Sequence, residues 1–256
     1  MSFVSFWTDK CQLYEKVVSL MEKVRKMNPF PESDTDNCEK MVACFRDLKP
    51  EELTLISSGK TELTYLAGET LFKQGAFSTH VLLVMDGLVK VYLQAGRDKQ
   101  LNLQLAKPGD FLAFASVFGE TVHTTSAIAL TDTQVCMIDK ENMRQLLMNN
   151  AEFAMRITSR NFRDERQLLT VIGNITYKQM RGKLASALLY LSGDEFSGQE
   201  VFPHLSRQDI ANFASIATES AIKFLKEFER DGIIVLEGKD ITILNRPELE
   251  KTERLG

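Results

Sequence analysis

The chain has 256 residues, room for two domains of ordinary size or one large one. Hydrophobic residues make up 44% and charged residues 26%, the balance of a soluble globular protein, and no apolar run approaches the ~20 residues of a membrane span. The net charge of −4 does not advertise nucleic-acid binding, which needs clustered Lys and Arg, so a claim on DNA must rest on a sharper feature.

The opening Met1-Ser-Phe-Val-Ser-Phe-Trp7 has no basic stretch followed by a long apolar core, so a secretory signal is not expected and a cytoplasmic location is. Residues 10–27 place Leu13, Val17, Leu20, Met21 and Val24 at helical spacing, which predicts an amphipathic helix. Asn28-Pro-Phe-Pro31 stops it, and a polar loop follows at 32–37. A short helix is expected at 38–45. Another is expected from Pro50, where Pro and two acids suit a first turn.

From about 60 to 140 the pattern changes. Short runs rich in Val, Leu, Ile, Thr and Tyr lie at 62–66, 70–73, 81–85, 88–93, 101–105 and 126–138. Gly68, Gly75, Gly87, Gly96 and Gly109 punctuate them, which predicts a compact antiparallel barrel or sandwich. A long helix is then expected over 140–172. Ala154, Ile157, Leu168, Val171 and Ile175 fall on one heptad-like stripe, with Asn161 and Asp164 in its middle. Such a stripe is buried either by a second copy across a two-fold axis or by the helix's own barrel. In the first case the polar pair weakens the seam and marks a place for a switch. Further helix is expected after Gly173 from the spacing of Met180, Leu184, Ala187, Leu188 and Leu191, then a loop from Gly193 to Pro203.

The segment from Leu205 to Ile234 carries the most information. Ser206 can cap a helix, with Asp209 three residues on as an imperfect capping box, and Ile210, Ala211 and Phe213 supply its inner face. Ala214-Ser-Ile216 is a short connection. Thr218 is expected to cap a second helix with the apolar stripe Ala221, Ile222, Leu225 and Phe228. Two short helices joined this way form a helix-turn-helix, in which the start of the second helix reaches base edges. After Asp231-Gly232, residues 233–244 read as a hairpin turning at Gly238-Lys239, a wing. The candidate DNA contacts are Ser206, Arg207, Thr218, Glu219, Ser220, Lys223 and Lys239. No phosphate-cradling Gly-Lys-Ser/Thr loop, His-Glu-x-x-His or nucleophile elbow points to an enzyme.

Together these segments resemble the cyclic-AMP receptor protein/FNR superfamily of regulators over residues 38–250. The likeness runs through Gly68-Glu-Thr-Leu-Phe-Lys-Gln-Gly75, Met85-Asp-Gly-Leu-Val-Lys-Val-Tyr92, Lys107-Pro-Gly-Asp-Phe111 and the block from Ser206 to Ile234. It implies an α+β fold: a cyclic-nucleotide-binding-like antiparallel β-roll at 38–139, a dimerisation helix at 140–172 and a winged helix-turn-helix at 173–256, after a helical extension at 1–37. The implied partners are a second copy, a near-palindromic DNA operator and RNA polymerase. The implied dimer seam is Ala154, Ile157, Asn161, Asp164, Leu168 and Val171. Family members read bases with a Glu and an Arg; the matching positions are Glu219 and Lys223. Glu can accept from a cytosine amino group and Lys can donate to guanine, without Arg's bidentate fork; a phosphate contact is the other reading of Lys223.

Members of the superfamily that bind cyclic nucleotides carry Gly-Glu and then Arg-Ser-Ala. Here Ala113 and Phe114 stand for Gly-Glu, and Thr125 stands for the Arg. Burying a phosphate without a cation is costly, so cyclic AMP and cyclic GMP are not the expected effectors. An apolar ligand near Phe111, Ala113, Phe114, Thr124 and Thr125, or none, is left open.

Four cysteines are too few for a disulfide scaffold. Cys38 and Cys44 share the spacing of two cluster ligands in the oxygen-sensing FNR branch, and Cys136 sits in a similar Val-Cys context. That branch also needs a cysteine where this chain has Thr35, a place Cys11 would have to fill. An iron–sulfur cluster, a thiol switch and simple burial are the three readings. Haem, known in the superfamily, would draw on His80, His123 or His204; solvated or locally bonded histidines are the simpler reading.

Overall fold

A computed structural model describes residue 45, residues 48–96 and residues 99–256, without the side chains of 161–164. The helix expected at 10–27, the extension at 1–37, nearly all of the helix expected at 38–45, Cys11, Cys38, Cys44 and the side chains of Asn161 and Asp164 lie outside the described residues.

The β-roll is made of two antiparallel four-stranded sheets. One runs β1 (Lys60–Tyr65), β8 (Thr133–Asp139), β3 (His80–Asp86), β6 (Phe111–Leu112); the other runs β2 (Thr70–Phe72), β7 (Ser126–Ala129), β4 (Val89–Gln94), β5 (Gln100–Ala106). Successive side chains of a strand face opposite ways, and both faces of β3 are covered. Leu82 and Val84 join Val89, Val91, Ala106, Leu112, Ala127 and Val135 inside the roll. Val81, Leu83 and Met85 pack with Cys136, Ile138, Met143, Leu146 and Phe153 on the helical side. This double burial explains why the strand reads as a continuous apolar run.

The single strand expected at 126–138 is two strands in different sheets. The crossing between them is pinned by side chains: Leu88 N donates to Thr131 Oγ1 at 2.9 Å and Ala67 N to Asp132 Oδ1 at 3.0 Å. Gly87 faces this crossing at φ 88°, and a Cβ there would lie 2.6 Å from the Asp132 carbonyl oxygen. A left-handed φ and a close backbone approach both require glycine.

Of the helices on the outside, α1 (Pro50–Ser58) precedes the roll, and α2 (Lys140–Asn149) and α3 (Ala151–Tyr177) follow it. The single helix expected over 140–172 is therefore corrected. Asn150 leaves helical geometry (φ −125°, ψ 95°), and its side chain accepts from Phe153 N at 2.9 Å to start α3 afresh. The second helix then runs through Gly173 to Tyr177. Phe153 and Ile157, 1% and 5% exposed, enter the core beside the roll with Phe45.

The rest is one apolar unit. It contains α4 (Met180–Leu191), α5 (Arg207–Ala214), α6 (Thr218–Arg230), the hairpin β9 (Ile234–Glu237) and β10 (Asp240–Ile243), and α7 (Arg246–Leu255). Leu184, Leu188, Leu205, Ile210, Leu225, Phe228, Ile241 and Leu249 are all 3% exposed or less. Helix α7 has no counterpart in the sequence reading. Its start was nonetheless encoded: Asn245 accepts from Glu248 N, and Pro occupies the first turn.

Candidate nucleic-acid interface

The capping box expected at Ser206 forms. Ser206 Oγ accepts from Asp209 N at 3.0 Å, and Asp209 Oδ2 accepts from Ser206 N at 2.9 Å. At the other end α5 stops on Ser215 in the left-handed conformation (φ 53°). That residue swings the chain from α5 into α6, and a non-glycine there carries a conformational cost of about 1 kcal/mol.

The expected cap at Thr218 is corrected. The residue in cap position is Ala217, with no side-chain cap, and Thr218 is the first helical residue. Its hydroxyl donates to Gln208 Oε1 on α5 instead, while Gln208 Nε2 donates to Asn212 Oδ1 at 2.9 Å. Thr218 thus fastens the two helices together at their N-terminal ends.

Ala221, Leu225 and Phe228 face inward as expected. Ile222 does not: it is 39% exposed. It shares the outer face of α6 with the exposed Glu219, Lys223 and Lys226 at i, i+3, i+4 and i+7 spacing. Ser220 is half-buried. The face therefore offers one anionic acceptor, two cationic donors and one branched apolar side chain.

Beside it stands the wing, paired Asp240↔Glu237 through Ile243↔Ile234 and turning at Gly238-Lys239. Lys239 is exposed at the turn. Arg207, expected as a DNA contact, has its guanidinium turned to the wing: Nη2 donates to the Gly238 carbonyl at 2.7 Å and Nη1 to the Lys239 carbonyl at 3.1 Å. Arg181 ties α4 to the far end of α6 through Asp231 at 2.8 Å and stacks over Phe228.

Asp209 does more than cap. It accepts a hydrogen bond from Lys90 on β4. Burial pushes its carboxyl up, but the bonds from Lys90 and Ser206 outweigh this and hold it below its ordinary value.

The five effector candidates do not form one group. Ala113, in the left-handed conformation, is partly buried and packs against the core inside the roll. Phe111 and Phe114 pack on the opposite side of the sheet with Phe45 and Phe153. Thr125 is half-buried and Thr124 exposed. Neighbouring His123 stacks on Phe72 at 4.1 Å, and burial lowers its pKa. His80 bonds locally to Thr79. His204 is exposed.

Cys136 is wholly buried. Its neighbours are Val81, Leu83, Ile138 and Met143, and burial pushes its thiol up to about 11. Its candidate partners in a cluster, Cys11, Cys38 and Cys44, lie outside the described residues. Among the described residues, no group of three or more His, Cys, Asp or Glu could hold a metal ion, and no helix is long and apolar enough to cross a membrane.

The comparisons with known proteins agree with this architecture. The family model for the cyclic nucleotide-binding domain matches residues 49–150, and that for the Crp-like helix-turn-helix domain matches residues 182–252. The transcriptional activator protein anr of Pseudomonas aeruginosa is 28% identical over 240 residues, 90% of this chain and 96% of its own. The CRP-like cAMP-activated global transcriptional regulator of Mycobacterium tuberculosis is 23% identical over 215 residues, 82% of this chain and 96% of its own. Among solved structures, FixK2 from Bradyrhizobium japonicum has the same fold, with a TM-score of 0.68 at 19% identity over 76% of this chain and 97% of that one. A roll of two antiparallel sheets, followed by long helices and a winged helix-turn-helix and matched by both family models, places the chain in the CRP/FNR family of DNA-binding transcription regulators.

Proposed function

We propose that the protein acts on DNA as a homodimer, with the outer face of α6 in the major groove of each half of a near-palindromic site and the wing against the flanking backbone. One observation carries this reading: Glu219, Ile222, Lys223 and Lys226 are presented together beside a wing that Arg207 holds in place. Glu219 accepts from a cytosine amino group, Lys223 donates to guanine or to a phosphate, and Ile222 packs on a thymine methyl group. Lys239 contacts phosphate. Arg207 and Thr218 serve this face indirectly, by positioning the wing and the start of α6.

The second copy is seated on α3. The expected seam of Ala154, Ile157, Leu168 and Val171 has to rotate, because Ile157 belongs to the chain's own core, while Val171 and Ile175 line a cleft with Leu103, Tyr190 and Phe213. The exposed apolar positions are Met155, Leu168, Leu169 and Ile172. For most of the helix this stripe lies one residue, about 100°, around from the expected one.

The effector of this reading is not a cyclic nucleotide. Phe114 and Thr125 stand where a nucleotide-binding member has its Glu and its Arg and bring no charge there, and apolar side chains pack inside the roll between its two sheets. Buried Cys136 favours its role as a core residue over a metal or redox role.

The test is selection from a pool of random duplexes, followed by shift assays on the enriched sequence at rising salt. Enrichment of an inverted repeat whose halves are one helical turn apart, about 10 base pairs, supports the reading. Binding that enriches nothing and vanishes with salt refutes it.

A further inference from the structure

Three successive residues in the first turn of α5 reach three different parts of the protein. Arg207 grips the wing turn at Gly238 and Lys239. Gln208 holds Thr218 at the start of α6. Asp209 pairs with Lys90 of the β-roll. The side chains of Lys90 and Asp209 are 9% and 14% exposed. Beside them Asn102, wholly buried on β5, donates through Nδ2 to the Asp209 carbonyl at 3.0 Å. Leu105 N on the same strand donates to Tyr190 Oη of α4 at 2.9 Å.

The junction joins this polar set to a small apolar contact. Among the described residues of the roll, Leu88, Leu105 and the partly buried Leu130 join the core of the winged helix. A buried ion pair adds little net adhesion, because desolvating two charges offsets their attraction; what it supplies is a preferred geometry. Asn102 Oδ1 is buried without a hydrogen-bond partner, which opposes docking. The polar part of the contact therefore sets direction more than strength.

We propose that Lys90 is a positioning residue for DNA binding: by pairing with Asp209 it docks the first turn of α5 on the β-roll, and through Gln208 and Arg207 that turn sets the orientation of α6 and the wing. The inference rests on α6 being the DNA-contacting helix. Asp209 caps α5 whether or not Lys90 is present, so replacing Lys90 breaks the docking without removing the cap. The route also gives the roll a physical means to act on DNA affinity, since any shift of β4 or β5 moves the partner of Asp209.

The experiment compares the full chain with Lys90→Met, Lys90→Arg, Asp209→Asn and the double variant Lys90→Met/Asp209→Asn. Amide hydrogen exchange is read together with affinity for the duplex selected by the unmodified protein. In Lys90→Met, exchange in residues 206–214 and in the wing rises about tenfold while residues 81–84 inside the roll keep their protection. Affinity for the selected duplex falls about tenfold, and affinity for unrelated duplex does not change. Lys90→Arg retains both properties. Asp209→Asn adds little once Lys90 is gone, because the two act as a pair. Unchanged exchange, unchanged or tighter specific binding, or additive losses in the double variant would each overturn the proposal. If Lys90→Met does not fold, Lys90→Gln against Lys90→Arg decides, with loss expected for the first and retention for the second. If the unmodified protein selects no duplex, the DNA-contact reading of α6 fails by itself, and the exchange measurements still decide whether Lys90 docks α5.

Discussion

Glu219 and Lys223 stand one turn apart on the outer face of α6, both exposed. If each reads a base edge, Glu219→Ala costs about 1–3 kcal/mol on the selected duplex and relaxes the preference at one base pair per half-site. Lys223→Ala separates its two roles. A base contact gives the same kind of loss, whereas a phosphate contact weakens all duplexes alike and lowers the salt slope by about 1. Competition with single-base variants of the selected duplex reads the difference. Cys136 gives a prediction in pH. Its thiol titrates near 9 when exposed and at about 11 in the fold. Between those values only the unfolded chain loses its proton, so stability falls as pH rises through that window, by about 2–3 kcal/mol in total. Urea unfolding of Cys136→Val should lack this part of the alkaline loss; an equal loss in both proteins would mean that the thiol is not protected.

At the scale of elements, α3 has two jobs on different faces. Phe153 and Ile157 anchor it to the roll, and Arg160 reaches Asp110 in the turn before β6. Leu168, Leu169 and Ile172 are exposed on α3 and form the seam of the dimer proposed above. Replacing Leu169 and Ile172 together with Glu should give a folded monomer by sedimentation, because both charges would be buried in the seam. Its DNA affinity should drop by at least about 100-fold through loss of the second half-site. The same double replacement leaving a dimer intact would move the interface elsewhere. Ile157→Ala makes the contrast: it should cost about 2–5 kcal/mol of stability, read by urea unfolding, through a cavity in the protomer's own core.

For the whole molecule, the issue is what the roll answers to. The match to the cyclic nucleotide-binding domain covers residues 49–150, yet Thr125 stands where a cyclic phosphate would need a cation, and Phe114 where its ribose would need a carboxylate. Cyclic AMP at millimolar concentration should therefore neither raise the melting temperature nor tighten binding to the selected duplex. A ligand that binds the folded state at 100 times its Kd would stabilise it by about 2.7 kcal/mol, so thermal unfolding is sensitive enough to decide. A clear rise would restore the cyclic nucleotide as effector and direct attention to how Thr125 is compensated.

Much of this was legible along the chain because it depends on neighbours in sequence. Apolar runs marked every strand of the roll except the two-residue β6, with β7 and β8 fused into one run, well enough to predict a compact antiparallel β fold. The box at Ser206 and Asp209 and the turn at Gly238-Lys239 are local chemistry within three residues or so, and both stand where the residues put them. The resemblance to the CRP/FNR superfamily, and the lack of an arginine at Thr125, likewise needed only order and spacing. Other features depended on packing between distant segments. A period of 3.6 says that a helix has an apolar face, but not which face meets its own roll and which is left over; the stripes of the sequence hold both Ile157, which the fold buries in its own protomer, and Ile222, which it exposes. The break at Asn150 arises from a side chain that can either continue a helix or cap a new one, and the contacts of Phe153 select the second. The pairing of Lys90 with Asp209 joins residues 119 apart. No local pattern announces it, because a lysine on a strand ordinarily points to water, and only the docking of α5 on the roll takes it out of solvent.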